Sequence, residues 1–166
     1  VNGNIPKLVN NILSSRTALC KVNSINEEIT CSDTGACQGN NSAALFFVYY
    51  IRKMMEDITC SKIKFLDDGS LYKSANIEDI PQLSMQMKED LYKVMTWCNK
   101  WHMPINLEKT KCMLFSKDPE NIKVNISLII PKSDGTLQTI NIEQVSSQKT
   151  LGIMLDEKLS FKEHIN

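Results

Sequence analysis

Apolar positions along this chain follow two periods, and the period changes at recognisable punctuation. Ile5, Leu8, Val9, Ile12 and Leu13 recur at helical spacing around Pro6, which predicts a helix over 5–15. Residues 17–23 alternate toward a strand, and 27–31 read as its hairpin partner. Residues 34–41 are polar and contain Gly35 and Gly39, so they read as a loop. Ser42 then reads as the N-cap of a helix reaching Asp57. Ile63 to Leu66 is a short apolar run, followed by Asp67-Asp68-Gly69 and Ser70-Leu71-Tyr72. Apolar, Asp-Gly, apolar predicts a tight hairpin with the acids at its tip.

The longest predicted helix covers 79–102, with Leu83, Met87, Leu91, Met95 and Cys98 as one apolar stripe. Residues 111–116 read as a strand, 122–130 and 137–142 flank the Asp134-Gly135 turn, and 150–155 read as one last strand. Ser160 reads as the cap of a further helix. Helices and hairpins interleave without repeats or a Pro/Gly/Ser-rich linker, which predicts one compact α+β unit with a mainly antiparallel sheet.

Composition narrows the class without naming a function. At 166 residues, 42% apolar and 23% charged, the chain has the make-up of about one globular domain, which excludes wholesale disorder and low-complexity polymers. Lys plus Arg equals Asp plus Glu at 19 each, so no strongly basic footprint argues for nucleic acid. The basic side is almost all lysine, with Arg16 and Arg52 the only arginines, so any phosphate contact rests on point charges rather than bidentate clamps. No two of the six cysteines have CxxC spacing, and His102 and His164 lie far apart, so zinc is not expected. Reduced, mostly buried thiols in an intracellular protein, nuclear or cytoplasmic, are the expectation. No stretch approaches the ~20 apolar residues of a membrane span. The chain opens Val1-Asn2-Gly3 and ends at Asn166 just as a helix starts, so it reads as a piece of something longer.

Asp67-Asp68 is the chemically suggestive pair. Carboxylate oxygens at a hairpin tip are hard ligands suited to Mg²⁺, while Asp-Asp-Gly is equally good chemistry for a solvated turn. Adjacent strand residues point to opposite faces, so a two-metal site needs another acid from a different segment.

The surroundings of that pair carry a resemblance. Thr34-Gly35-Ala36-Cys37-Gln38-Gly39-Asn40 precedes Leu45-Phe46-Phe47, then Phe65-Leu66-Asp67-Asp68, then Trp97-Cys98-Asn99-Lys100-Trp101. Ile105-Asn106-Leu107-Glu108-Lys109-Thr110-Lys111 and Met113-Leu114-Phe115-Ser116 follow, and Lys149-Thr150-Leu151-Gly152-Ile153-Met154-Leu155-Asp156 precedes Phe161 and His164. In order and spacing this resembles the reverse transcriptase of non-LTR (LINE-type) retrotransposons over essentially the whole chain. The resemblance implies an incomplete right-hand polymerase fold, a palm-like antiparallel sheet packed on helices. It implies fingers and palm over 1–145 and the start of the palm–thumb connection over 146–166.

It further implies RNA-directed DNA polymerase activity by two-metal nucleotidyl transfer. The implied cofactor is Mg²⁺, and the implied partners are an RNA template, a DNA primer and deoxynucleotides. By resemblance Asp67 is the main metal ligand, Asp68 the supporting one, and Lys109 a charge or proton donor at the nucleotide phosphates. Gln38, Gly39 and Phe65 match nucleotide- and template-binding positions, and Leu151-Gly152 matches the primer-gripping strand. Read as bare residues, Gln38-Gly39 is a loop before a helix, Lys109 a solvated charge, and Leu151-Gly152 a strand with a close backbone approach. Trp97 and Trp101, at i, i+4, read as helix packing.

The chain also departs from the family pattern. Cys37 and Asn40 stand where Pro and Ser usually flank Gln-Gly, residues 41–44 read Asn-Ser-Ala-Ala where the family is rich in Leu, Ser and Pro, and Leu66 stands where Ala is usual. The family's first catalytic aspartate has no counterpart here, since Glu27, Glu28 and Asp33 lie in no matching context. The expectation is therefore an inactive isolated chain that polymerises only within a longer polypeptide. The alternative is a non-catalytic, decayed or domesticated remnant acting as a nucleic-acid or protein binding module.

Overall fold

The computed structural model describes residues 3–14, 16–23, 25–31, 35, 41–132 and 134–165. It is an α+β fold of helices and small, mainly antiparallel sheets. Where the sequence pattern suggested one compact unit, the chain divides into two, Val1–Arg52 and Lys53–Asn166.

In the first unit, helix α1 spans Asn4–Leu13, with Pro6 in its first turn. Strands β1 (Thr17–Val22) and β2 (Ile25–Thr30) form the expected hairpin, closed beyond its ends by the Cys31 N–H donating to the Arg16 carbonyl at 2.8 Å. Every residue of both strands is exposed, so this ribbon contributes nothing to a buried core. Helix α2 covers Asn41–Ile51 and stops short of Asp57.

The second unit begins in a run of turns, and its composition explains them. Met54 and Met55 are both buried in one cluster with Val94 and Cys98. Consecutive helical side chains diverge by ~100°, so leaving the helix lets both methionines face the same core. Strands β3 (Ser61–Phe65) and β4 (Asp68–Tyr72) follow as an antiparallel hairpin. A 3-10 turn at Ile77–Asp79 then leads into helix α3 (Ile80–Lys100), which has Pro81 in its first turn.

Helix α3 is covered on two faces, not along the single expected stripe. Val94, Cys98 and the half-buried Trp97 pack with Met54 and Met55, joined by Leu71 of β4. Met87, Leu91 and Met95 pack instead against Val124, Ile126, Leu128 and Ile142. Those last residues belong to, or immediately precede, the antiparallel pair β6 (Ile126–Pro131) and β7 (Leu137–Gln144). Gly135 turns this hairpin at φ +81°, with the Asp134 carboxylate accepting the Thr136 N–H at 2.9 Å. The Tyr92 hydroxyl bonds both the N–H and the carbonyl of Ile129, tying α3 to β6.

Strand β5 is only Lys111–Cys112 and pairs in parallel with β7, so the strand expected over 111–116 is mostly irregular. The strand expected over 150–155 is also broken. Strands β8 (Ser147–Thr150) and β9 (Ile153–Asp156) form a hairpin around Leu151-Gly152, and helix α4 (Lys162–Ile165) follows.

One charged side chain lies wholly inside the second unit. Asp90 of α3 is 0% exposed. Its Oδ2 accepts the Thr59 N–H and hydroxyl, each at 2.9 Å, and the Cys60 N–H at 2.7 Å, while Oδ1 accepts Lys93 Nζ at 2.9 Å. Burial alone would push this carboxyl up, but the bonds from Lys93, Cys60 and Thr59 outweigh it and hold the group well below its ordinary 3.8.

A depressed folded value means that the stabilisation is complete above the unfolded carboxylate range and drains away as pH falls below it. Urea titrations of the chain are therefore expected to show a midpoint that drops below about pH 4. Asp90→Ala is expected to remove about 3 kcal/mol at neutral pH and to flatten that acid limb.

Candidate active site

The acidic hairpin forms as expected, but its turn sits two residues earlier than the Asp-Gly signal suggests. Phe65 pairs with Asp68, leaving Leu66 and Asp67 as the two loop residues. Leu66 takes the left-handed conformation, φ +52°, which costs a branched side chain roughly 1 kcal/mol. Gly69 pairs with Lys64 inside the strands instead of turning the chain. The reason is packing: a Cβ at Gly69 would collide with the terminal methyl of buried Met55. This glycine is spent on a close approach between strand and core.

Alternation along the strands then sorts the side chains. Leu71 faces the Met54–Met55 cluster, so Gly69, Lys62 and Lys64 share that side. The Lys62 ammonium donates to the Met55 carbonyl there. Partial burial on this side pushes Lys64 down, and neighbouring Lys62 adds to the shift. Asp68 lies on the opposite, open face with Ile63, Phe65 and Tyr72, and those three are 53–58% exposed. Both Asp67 and Asp68 are exposed.

Lys109 sits in a turn organised by Asn106. The Asn106 side chain accepts the Lys109 N–H at 3.1 Å, and its carbonyl accepts the Thr110 hydroxyl at 2.9 Å and N–H at 3.1 Å. Ile105 packs on the cluster that holds Leu71, and Leu107 packs on the β6–β7 cluster. The acidic hairpin and the lysine turn therefore rest on one core. The Lys109 side chain is exposed and leaves this turn toward solvent, while Lys111 pairs with Glu143 at 2.6 Å.

Leu151-Gly152 does not lie within a strand. The two residues form a tight turn at φ +49° and +84°, the doubly left-handed geometry that suits a two-residue hairpin. A Cβ at Gly152 would meet nothing within 4 Å, so this glycine serves the turn and not a close approach. Gln38 and Gly39 lie outside the described residues. Trp97 packs in the core as expected, with the Trp101 ring stacked on it at 5.8 Å.

Two structural acids are only faintly marked in the sequence pattern. Asp90 was hidden within a polar helical run. Asp156, the last residue of β9, accepts the N–H groups of Lys158, Ser160 and Phe161 and the Ser160 hydroxyl at 2.7–3.1 Å. The Ser160 N–H leads in holding this carboxyl below its ordinary value. Its place at the end of an apolar run ahead of a Ser was the available signal.

Asp67 and Asp68 offer two adjacent carboxylates to a cation. Among the described residues, no three His, Cys, Asp or Glu side chains gather as a metal site.

Two substitutions test the tip. Gly69→Ala is expected to cost less than about 1 kcal/mol, because the Met55 terminal methyl is the far end of a flexible side chain and can swing aside. The penalty should shrink when combined with Met55→Ala, giving a non-additive double-mutant cycle in chemical denaturation. Leu66→Asn is expected to raise stability by about 1 kcal/mol, because Asn tolerates the left-handed turn.

Comparison with known proteins bears on this geometry. The family described as reverse transcriptase (RNA-dependent DNA polymerase) matches residues 4–155. No curated protein and no solved structure matches the chain. No helix among the described residues is long and apolar enough to cross a membrane. A match across both compact units, with the acidic hairpin and the lysine turn inside it, places this chain in the reverse transcriptase family.

Proposed function

We propose that the chain is the palm region and the start of the thumb of a non-LTR, LINE-type retrotransposon reverse transcriptase. Fingers and palm run over 1–145, and the palm–thumb connection begins at 146. The observation that carries this reading is the exposed Asp67-Asp68 tip on the same core as the Asn106–Thr110 turn, within a match to the family.

In the full-length protein, Asp67 and Asp68, together with a further acid, would hold Mg²⁺, which would supply charge neutralisation at the reacting phosphate. The primer 3′-hydroxyl gives its proton to solvent and attacks the nucleotide α-phosphate, so that a new P–O bond forms as the bond between the α-phosphorus and the pyrophosphate oxygen breaks and pyrophosphate leaves. Lys109 contributes positive charge at the phosphates. Gln38, Gly39 and Phe65 contact template and nucleotide, and the Leu151-Gly152 turn grips the primer strand. The RNA template, DNA primer and deoxynucleotides are reached inside the cell, in nucleus or cytoplasm.

The chain carries no counterpart of the family's first catalytic aspartate, and on that ground we infer that the isolated chain does not polymerise. Primer extension with Mg²⁺ on the purified 166-residue chain is expected to give no incorporation. Clear incorporation that Asp67→Asn abolishes would overturn the inactivity. A longer polypeptide supplying the further acid is expected to extend a primer. Asp67→Asn should slow it by on the order of 10²–10³-fold, the scale seen when a charge-stabilising group is lost. Absence of extension by that longer polypeptide supports the non-catalytic binding-module reading.

A further inference from the structure

We infer that Asp90 is a positioning residue for the hairpin that presents Asp67 and Asp68, acting on the two feet of the hairpin and not on its tip. The inference rests on the proposed function, which gives the tip its chemistry.

The distribution of bonds on the carboxylate carries the inference. Oδ2 takes three donors, and all three come from Thr59 and Cys60, the residues immediately before β3. Oδ1 takes none of these and is held by Lys93, one turn along the same helix. The helix thus secures one oxygen, and the other is committed to the foot of β3. Charge-assisted bonds of this kind are shorter and about twice as strong as neutral ones.

The second foot is tied into the same chain of contacts. Gln86, one turn before Asp90, donates Nε2 to the Thr59 hydroxyl oxygen at 2.8 Å. Its Oε1 accepts the ammonium of Lys73, the residue directly after β4. Lys93, Asp90, Thr59, Gln86 and Lys73 therefore form one continuous polar strap. It holds the entry and the exit of the hairpin against one stretch of α3.

The lever is long. Five residues of β3 at ~3.3 Å each put the tip ~17 Å from the clamp. A small rotation at the feet becomes a displacement of about an ångström at the carboxylates, enough to cost roughly 10²-fold in a reaction that depends on alignment. A carboxylate that served only the helix–sheet core would send its bonds toward β6 and β7, and Asp90 sends none there.

Amide hydrogen exchange on the 166-residue chain tests the clamp directly. Asp90→Asn is compared with Leu128→Ala, which loosens the β6–β7 cluster. Asp90→Asn is expected to speed exchange in β3 and β4 by about tenfold relative to β6 and β7, the weight of one charge-assisted bond. Leu128→Ala should show no such selectivity for the hairpin. Equal acceleration of both regions by Asp90→Asn would overturn the inference. If Asp90→Asn does not fold, Gln86→Ala asks the same question from the half-buried end of the strap, and unchanged protection in β3 and β4 overturns it.

In a longer polypeptide that extends a primer, Asp90→Asn is expected to lower kcat and leave the nucleotide KM within about twofold, the pattern of a lost alignment. Loss of extension in Asp67→Asn with full extension in Asp90→Asn sinks the positioning role alone. Undiminished extension in Asp67→Asn sinks the functional reading instead.

Discussion

A carboxylate with no access to water must be fully partnered or it unfolds its surroundings, and Asp90 is such a group. Meeting that demand fixes more than one residue. The N–H groups of Thr59 and Cys60 must present to one oxygen, which sets where the chain enters β3. The Lys93 ammonium must reach back one turn along the helix, which keeps that face of α3 turned toward the hairpin. With the orientation of α3 set, its other face carries Met87, Leu91 and Met95 onto β6 and β7. Tyr92 then finds the backbone of Ile129. One helix thus serves two neighbours by different means, holding the hairpin through a buried charge and the sheet through apolar contacts.

Much of this layout is legible in the sequence because it depends on period and turn chemistry. The hairpins at 17–30, 61–72 and 126–144 and the long helix after Pro81 follow from alternation, apolar spacing and Asp-Gly punctuation. The glycines show where local pattern fails. Gly69 reads as a turn residue and is a packing residue, because the demand comes from Met55, distant in the pattern but adjacent in space. Gly152 reads as a packing residue and is a turn residue, because nothing approaches it and only its left-handed φ matters. Local composition cannot separate these uses; only the atoms facing the missing Cβ can.

Asp90 is illegible for a related reason. In the run Lys88-Glu89-Asp90 it looks like one more charge on a solvated helix face. Its neighbour Glu89 is exposed, while Asp90 is not. The difference lies in Thr59 and Cys60, thirty residues earlier, which bring donors to meet it. The parallel pairing of β5 with β7 is hidden in the same way, since two residues are too few to carry a period. The division after Arg52 escapes as well, because no run of Gly, Pro or Ser marks it.

The acidic hairpin itself inverts the usual arrangement of a half-buried ribbon. Its lysines, Lys62 and Lys64, lie on the side of the core, and Ile63, Phe65 and Tyr72 face outward. An outward apolar face is costly to leave in water, about 25 cal/mol per Å² of apolar area. The inward lysines are tolerated because Lys62 reaches a backbone carbonyl and because Gly69 leaves room for Met55. This ribbon therefore gains little of its stability from its own amphipathicity. It gains it from its feet, where Asp90 and Gln86 hold it, and from Leu71, its one core-facing apolar side chain. Tight feet and a strained tip, with Leu66 left-handed, are complementary. Strain at a turn persists only where the flanking structure over-determines it, and here the over-determination comes from a charge buried in the neighbouring helix.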